Sequence, residues 1–504
     1  MATLDASTRV LASRAGRREW AALGVLSLAV FLVSMDATVL DIAVPHMTQA
    51  LHPSATQLLW IVDVYSFVLA ALLITMGNVG DRIGRRRILL VGAVAFAAAS
   101  LVAGFAVSPE MLIAARVVQG VAGATLMPAT LALIHSTFTV ARQRALAIGV
   151  WSAVASGGAV AGPVLGGLLL EHFFWGSVFV MNVPVVALIV IAAPMVVVES
   201  RNPAPGRLDT VSVGLSVLAM MPLIYAIKET AAHGPSGLSG AAALVGVLAG
   251  VVFLRRQRWL AAPLIDVSLF RRPAFTVAVL TNLIAVFAVS GLLYFGAQYL
   301  QVVHGMSTLR AGLALAPAMV ASGVAALAAA PLMRRYSART VLVVALSLQV
   351  IGAVVMFGVR ADGGVALYLV VETLIGIGAG AVLTLTSALV LSAVPGDRAG
   401  AASAVTETAY EAGHALGVAI LGSVGTAVFH AGVDVSGLPE GPAHDARETI
   451  GAAVQVASGV GGDVGARVLA SASEAFVSGI HVAAAVSGLA SLLMAVLALR
   501  LLRR

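Results

Sequence analysis

Residues Phe31 to Pro45 read FLVSMDATVLDIAVP. Two aspartates, Asp36 and Asp41, sit inside an apolar run long enough to cross a bilayer. A carboxylate at the centre of a membrane helix costs about 2.5–3.5 kcal/mol on insertion scales, and such residues usually face a bundle interior or a water-filled cavity. The stretch therefore reads as a membrane span that carries a proton or cation site. Asp36 lies deeper in the run. Asp41 stands nearer its end, where plain solvation at an interface accounts for a carboxylate equally well.

The remaining sequence is of the same kind. Of 504 residues, 60% are hydrophobic and 11% charged, and the mean hydropathy is +1.01. Repeated apolar runs of this density mean an integral membrane protein. The net charge of +7 does not point to nucleic acid, because the basic residues, almost all arginine, cluster in short gaps between apolar runs. The absence of cysteine excludes disulfides and thiolate metal sites. No G-x-x-x-x-G-K-[ST] loop is present, so nothing suggests an ATPase. No enzymatic activity, metal or cofactor is expected. Arg9, Arg14, Arg17 and Arg18 precede the first apolar run, which is too long for a signal peptide core and has no clear cleavage site. It is therefore the first span.

A span needs about 20 apolar residues. On that rule fourteen are expected, at approximately 20–46, 56–78, 87–107, 110–134, 143–170, 174–198, 208–228, 237–257, 274–302, 309–332, 340–359, 364–393, 399–429 and 476–500. Lys and Arg should then favour alternate gaps, on the cytoplasmic side. They do: Arg82, Arg85, Arg86 and Arg87 follow the second span, Arg142 the fourth, Arg201 and Arg207 the sixth, and Arg255, Arg256, Arg258, Arg271 and Arg272 the eighth. Arg334, Arg335, Arg339 and Arg398 continue the pattern, and Arg503 and Arg504 end it. Single residues, Lys228, Arg310, Arg360, Arg447 and Arg467, are the exceptions. Both termini are expected in the cytoplasm. The segment 431–475 becomes an outer loop, acid-rich and weakly helical, expected as a helical hairpin; its acids are a solvated surface or a means of gathering cations at the exit.

The chain repeats itself. GGAVAGPVLGG, from Gly157, aligns without gaps with GHALGVAILGS, from Gly413, at an offset of 256. RVVQGVAGATLMPATLAL, from Arg116, matches ETLIGIGAGAVLTLTSAL, from Glu372, at the same offset. Both copies run in the same direction. The expected organisation is a cytoplasmic tail at 1–19, a six-helix bundle at 20–198, a linker at 199–272 carrying two extra spans (208–228 and 237–257), and a second six-helix bundle at 273–504. Parallel six-span halves related by an axis along the membrane normal are similar to the plan of major facilitator transporters.

Arg116 lies about seven residues in from the outer end of its span and needs a partner. Asp36 lies about ten residues below the outer end of the first span, roughly 15 Å at 1.5 Å per residue. The two depths agree, so the pair is expected to meet. An arginine holds an aspartate ionised, and a conformational change that parts them lets the acid take a proton. A static ion pair is the plainer reading. On span thirteen, Glu407, Glu411 and His414 fall on one helical stripe in TETAYEAGH. Two neighbouring carboxylates share a proton more cheaply than both ionise, so Glu411, the deeper, is the preferred coupling acid and Glu407 stands nearer the interface. A lone His such as His414 is more often a polar packing residue. Glu372 occupies the repeat position of Arg116, and Asp63 is another acid in an outer half-span. Trp60, Tyr65, Trp151, Tyr294, Phe295 and Tyr410 offer rings on which a flat cation stacks, although most membrane aromatics pack or form interface belts.

Several motifs resemble those of a known family. GNVGDRIGRRRIL, Gly77 to Leu89, looks like the major facilitator loop motif G-x-L-a-D-r-x-G-r-k-x-x-l, with Val79 at the usual Leu. The resemblance implies that Gly77, Gly80, Asp81, Arg82, Gly84, Arg85 and Arg86 form a conformational latch. RVVQG at Arg116 resembles l-x-x-x-R-x-x-q-G, linked in that family to proton coupling. The run holding Gly158, Gly162, Pro163, Gly166 and Gly167 resembles g-x-x-x-G-P-x-x-G-G, which there marks antiporters. MDATVLDIAVP is similar to l-D-x-T-v-x-n-v-A-l-P of the fourteen-spanner drug:H+ antiporter-2 family, with Asp41 where Asn is common, and Trp60 and Tyr65 match its W-x-x-x-x-Y pattern.

The resemblance implies an all-α integral membrane protein of the major facilitator fold that exports lipophilic cationic or zwitterionic drugs (dyes, quaternary ammonium compounds, fluoroquinolones) in exchange for protons. Asp36, Arg116 and Glu411 are the expected coupling residues. Asp36, Asp41, Asp63, Glu372, Glu407, Glu411, Trp60, Tyr65, Tyr294 and Tyr410 are the expected substrate contacts. A monomer in a bacterial inner membrane is expected, with anionic lipids at its cytoplasmic face. A dedicated exporter of one endogenous metabolite or lipid is the nearest alternative; a sensor or scaffold without transport is the alternative of another class.

Overall fold

A computed structural model describes residues 15–201, 209–260, 263–394 and 399–502. Arg9, Arg14, Arg207, Arg398, Arg503 and Arg504, and most of the tail expected at 1–19, lie outside the described residues. Fourteen helices among the described residues are long and apolar enough to cross a membrane. In order they are Arg17–Leu51, Ala55–Ile83, Arg85–Gly104, Pro109–Thr137, Ala141–His172, a divided sixth span (Ser177–Val180 and Asn182–Val196), Thr210–His233, Gly237–Trp259, Pro273–Gln298, Thr308–Leu332, Ala338–Met356, Val365–Ser392, a thirteenth span opening with Ala399–Leu416, and Gly462–Leu501. In lipid every backbone polar group must be satisfied within the segment, which leaves the helix as the local solution for an apolar run of this length.

The helix starts are written locally. Ser54, Ser108, Ser236, Ser307 and Ser337 each accept a bond from the backbone N–H three residues on, satisfying one of the orphan donors of a first turn. Pro109 follows Ser108 at the first helical position, where its missing N–H costs nothing. Asp209 begins the seventh span and also takes both Arg256 nitrogens, at 3.1 and 2.9 Å. Those Arg256 bonds, with help from Ser212, hold its carboxyl down at about 2. This knot ties the two extra spans together at the arginine-rich face.

Two expectations need correction. The second span does not stop near residue 78 but runs to Ile83, so Asp81 and Arg82 are helical and the turn narrows to Gly84, at φ +114. Only glycine adopts that conformation freely. A Cβ there would also stand 2.7 Å from the Glu199 carboxylate, which accepts the Arg86 and Arg87 backbone N–H groups and so caps the third span. Glu199 comes from the end of span six, and Asp81 pairs with Arg85 at 2.8 Å. The outer loop contains helices Glu440–Glu448 and Ile450–Val460, but the second arm expected of its hairpin is the beginning of the 40-residue last helix. Apolar Val464, Val468, Ala472 and Ala475 continue the stripe of that helix into the loop and pack on the core. Spans nine and thirteen each contain a π-helical turn, Tyr299–Val303 and Gly417–Leu421.

Spans one to six build one apolar core, around Leu26, Phe96, Leu133 and Ile189. Spans nine to twelve and fourteen build another, around Leu342, Leu385 and Met494. A third cluster joins Val44 and Ile61 of the first half to Leu292 and Phe476 of the second, at the face opposite the arginines. The glycines of span five explain how the helices approach. Cβ atoms added at Gly158, Gly162 and Gly166 would fall on Phe31, Thr38 and Val39 of span one, at 2.7, 2.1 and 2.6 Å. On the other side of the same helix, a Cβ at Gly167 would stand 2.7 Å from Leu309, and one at Gly312 would stand 2.3 Å from the Pro163 carbonyl. The stripe thus serves both the packing within one half and the contact between halves. Its repeat does the same: Gly413 and Gly417 lie on the span-nine backbone at Leu283 and Phe287.

Neighbouring glycines give a matched test. Gly158→Ala places a methyl against the Phe31 carbonyl and is expected to cost about 1–3 kcal/mol of stability. Gly157, with nothing within 4 Å of its added Cβ, is expected to tolerate alanine or gain up to about 1 kcal/mol of helix propensity. Melting temperatures of the two purified variants check this, and equal values would contradict the packing described.

Candidate functional site

Spans one, two, four, five, nine, ten, twelve and thirteen wall a cavity of about 390 Å³ between the halves. Its lining includes Trp151 and Ser152 of span five and Ala326 of span ten, the parts nearer the arginine-rich face. On the far side the halves touch. There Gly167 meets Leu309, and the Gln301 side chain donates to the Ile42 carbonyl at 3.0 Å. Glu448 of the outer loop accepts the Ala55 backbone N–H at 2.9 Å, an orphan donor at the start of span two. The chamber is therefore closed toward one face.

Three carboxylates line it: Glu372 from span twelve, and Glu407 and Glu411 from span thirteen. Tyr410 and His414 share the span-thirteen stripe, so one helix presents two acids, a ring and an imidazole to the same space. Ser66 of span two reaches across the seam to His414 Nδ1 at 3.4 Å. Among the described residues, none of the three acids has an arginine or lysine within ion-pair distance. Glu372 meets the Tyr368 hydroxyl at 2.8 Å, and that hydroxyl also lies 3.0 Å from the Leu292 carbonyl. Leu292 stands 256 residues after Asp36, and Glu372 stands 256 after Arg116. Where one half has an ion pair, the other has an acid, a phenol and a carbonyl in a row.

Asp36 and Arg116 do meet, at 2.6 Å, both removed from solvent. Most of the polar groups nearby are recruited; the Asn182 Oδ1 and the Tyr65 hydroxyl have no partner among the described residues. Asn182 and Gln119 donate to the second Asp36 oxygen at 2.8 and 3.4 Å, and both also donate to Ser100. Arg116 further reaches the Ile61 carbonyl and Gln119, and its guanidinium lies 4.5 Å from the Tyr65 ring centre. Asn182 begins the second piece of the divided sixth span, so the break there delivers a donor. Tyr65 lines the chamber and covers the pair from it. Asp36 and Arg116 are thus one ring removed from the chamber wall.

Other expected contacts lie elsewhere. Asp41 is buried on span one but does not line the chamber. Tyr294 lines a separate pocket of about 30 Å³ with Gln298 and Glu448. Asp63 is paired with Lys228 of span seven at 2.7 Å, and the ammonium lies 3.9 Å from the Trp60 ring centre. Both charges are wholly buried, so Asp63 and Trp60 face span seven. Sequence reasoning set Lys228 aside as an irregular charge; its depth within an apolar run was the available signal. Ser100 and Asn182 carried no signal beyond being polar within spans; Gln119 is the glutamine of the RVVQG stretch.

The sequence matches the family model of the Major Facilitator Superfamily over residues 26–418. It is 42% identical to the multidrug efflux pump LfrA of Mycolicibacterium smegmatis over 478 residues, 95% of each chain. It is 36% identical to the methyl viologen resistance protein SmvA of Salmonella typhimurium, over 95% of this chain and 97% of that one. The fold resembles a crystal structure of a bacterial homologue of the human lysosomal transporter Spinster, with a TM-score of 0.67 at 17% identity, over 97% of this chain and 99% of that one. Fourteen apolar helices, two repeated halves around one chamber and these matches lead to one conclusion: the chain is a multi-pass membrane transporter, not an enzyme, and belongs to the Major Facilitator Superfamily.

Proposed function

We propose that the chain exports lipophilic cationic or zwitterionic drugs across a bacterial cytoplasmic membrane in exchange for protons. The observation that carries this reading is the chamber itself, with Glu372, Glu407 and Glu411 beside Tyr65, Trp151 and Tyr410. A carboxylate removed from water without a fixed counter-ion either keeps a proton or takes a cation. The aromatic faces add cation–π attraction for a flat organic cation. Proton and drug then compete for the same oxygens, which is the condition for exchange. The efflux pump and the resistance protein named above are relatives over nearly the whole chain, which supports drug export.

By the positive-inside rule the arginine-rich face is cytoplasmic, and both ends of the chain belong there. The closed face is then external and the chamber takes its substrate from the inside. The Glu372 row favours a loaded proton. With Glu372 ionised, one Tyr368 hydroxyl proton serves two acceptors. With Glu372 protonated, it donates to the phenol oxygen and the phenol donates to Leu292, so the phenol proton is no longer shared. Asp36 and Arg116 sit behind Tyr65, where a shift of that ring when a cation binds alters their contact. Each charge moved through the membrane potential is worth about 2.3 kcal/mol per 100 mV. Exchange of one proton for one monovalent cation therefore draws only on the pH difference, at about 1.4 kcal/mol per tenfold.

The test is dye efflux from proteoliposomes against an imposed pH gradient. The parent is expected to export a cationic dye only when the gradient is present. Glu411→Gln is expected to fold and to bind the dye about tenfold more weakly, a loss of about 1.4 kcal/mol, with little gradient-driven flux. Unchanged flux in Glu411→Gln and in Asp36→Asn would remove the coupling role given to these acids. Tyr368→Phe takes a partner from a buried carboxyl, at a cost of about 1–3 kcal/mol. It is expected to slow exchange several-fold while dye affinity stays near the parent value; parental exchange rates would deny Glu372 a part.

A further inference from the structure

The two extra spans are joined to the first half by charge and lie against the second half by packing. Lys228 of span seven is fully buried, bonded to Asp63 of span two at 2.7 Å, and set 3.9 Å above the Trp60 ring and 6.0 Å from the Phe67 ring. An ammonium taken out of water and given one carboxylate and two aromatic faces stays where those groups are, because leaving strands two charges in the apolar interior. One Asp63 oxygen takes the lysine, while the other has no partner atom in the protein. Lys228 is thus the counter-charge that permits Asp63 to be buried there. One turn back along the same face, the helix meets span thirteen as well as span two over small and apolar groups. Ile224 packs with Phe67, Ala415 and Ala419, and Met220, Met221 and Leu416 complete the patch. The side chains facing it from span thirteen near this point are alanine and leucine, over which a helix can slide at small cost.

Spans two and thirteen flank one of the two seams between the halves, and this seam must change if the chamber is to open to the other face. From this we infer that Asp63 and Lys228 are positioning residues that fasten the inserted hairpin to the first half, so that it travels with span two while span thirteen slides past it. The inference rests on export by alternating access, yet its test reads distances and not transport, so the two fail separately. The hairpin is then a fixed rail beside a moving seam. Asp63 is withdrawn from substrate by its lysine, which explains why it faces away from the chamber.

The chain has no cysteine, so spin labels go where they are placed. One pair, Thr56→Cys with Gly237→Cys, reports span two against the hairpin. A second, Gly237→Cys with Ala431→Cys, reports the hairpin against span thirteen. Distances are read by pulsed electron resonance in nanodiscs, with and without a bound cationic dye such as ethidium, at pH 5.5 and pH 8 (about 2.5 units apart, to load and unload carboxyls). The first distance is expected to hold across all conditions. The second is expected to shift by about 5 Å or more, the scale of one helical turn. In the charge-neutral double variant Asp63→Asn/Lys228→Gln, which strands no ion, the first distance is expected to broaden and follow the second, and Lys228→Arg alone is expected to keep it fixed. A first distance that moves in the parent, a second that never moves, or a double variant with an unchanged first distance would each overturn the inference.

Discussion

Asp36 could not lie where it does without Arg116. Each is withdrawn from solvent inside a protein that presents lipid-like surface on its outside, and each removes the cost that the other imposes. Satisfying both ions recruits Gln119 from span four itself and Ser100 and Asn182 from two further spans. That set fixes spans one, three, four and six against one another at mid-depth. Single buried residues thus determine the arrangement of a half whose other contacts are largely interchangeable apolar packing. The same constraint acts on span seven, where Lys228 and Asp63 meet at 2.7 Å. In both places a charge in the apolar interior has found one specific opposite charge.

The chamber departs from that rule, and the departure is its chemistry. Three acids open to it, and among the described residues no arginine or lysine lies within ion-pair distance of them. The repeat makes the contrast legible within one molecule. The position that holds Arg116 in the first half holds Glu372 in the second, and the aspartate position becomes Leu292. At these positions one half holds an acid paired with an arginine, while the other holds an acid whose partner is a phenol. The two copies of the bundle differ there: one has an ion pair where the other has an acid, a phenol and a backbone carbonyl.

Much of this was legible in the amino-acid sequence because the bilayer simplifies the code. Span number followed from apolar length, and the repeat from an ungapped offset. The meeting of Asp36 with Arg116 followed from matched depth in two spans running in known directions. What escaped had physical reasons. Glu199 caps the third span from the end of the sixth, a contact between distant segments with no local spacing to betray it. Glu372, Glu407 and Glu411 reach the chamber but Asp41, Asp63, Trp60 and Tyr294 do not, because depth along a span says nothing about the face of the helix a residue occupies. Lys228 was read as a departure from charge alternation when its depth made it a partner in search of an acid. The outer loop was read as a separate helical hairpin, whereas its second arm runs on without a break into the last span, along an apolar stripe of Val464, Val468 and Ala472.

The central claim is that protons and organic cations occupy the same carboxylates in turn. Proton release on binding measures this directly. Purified protein in weakly buffered detergent near neutral pH is titrated with a cationic dye while the free proton concentration is followed. The account predicts release in step with dye bound, approaching a whole proton per dye, and reduced release when Glu411 is replaced by Gln. Saturable dye binding with no proton released at any pH near neutral would contradict it.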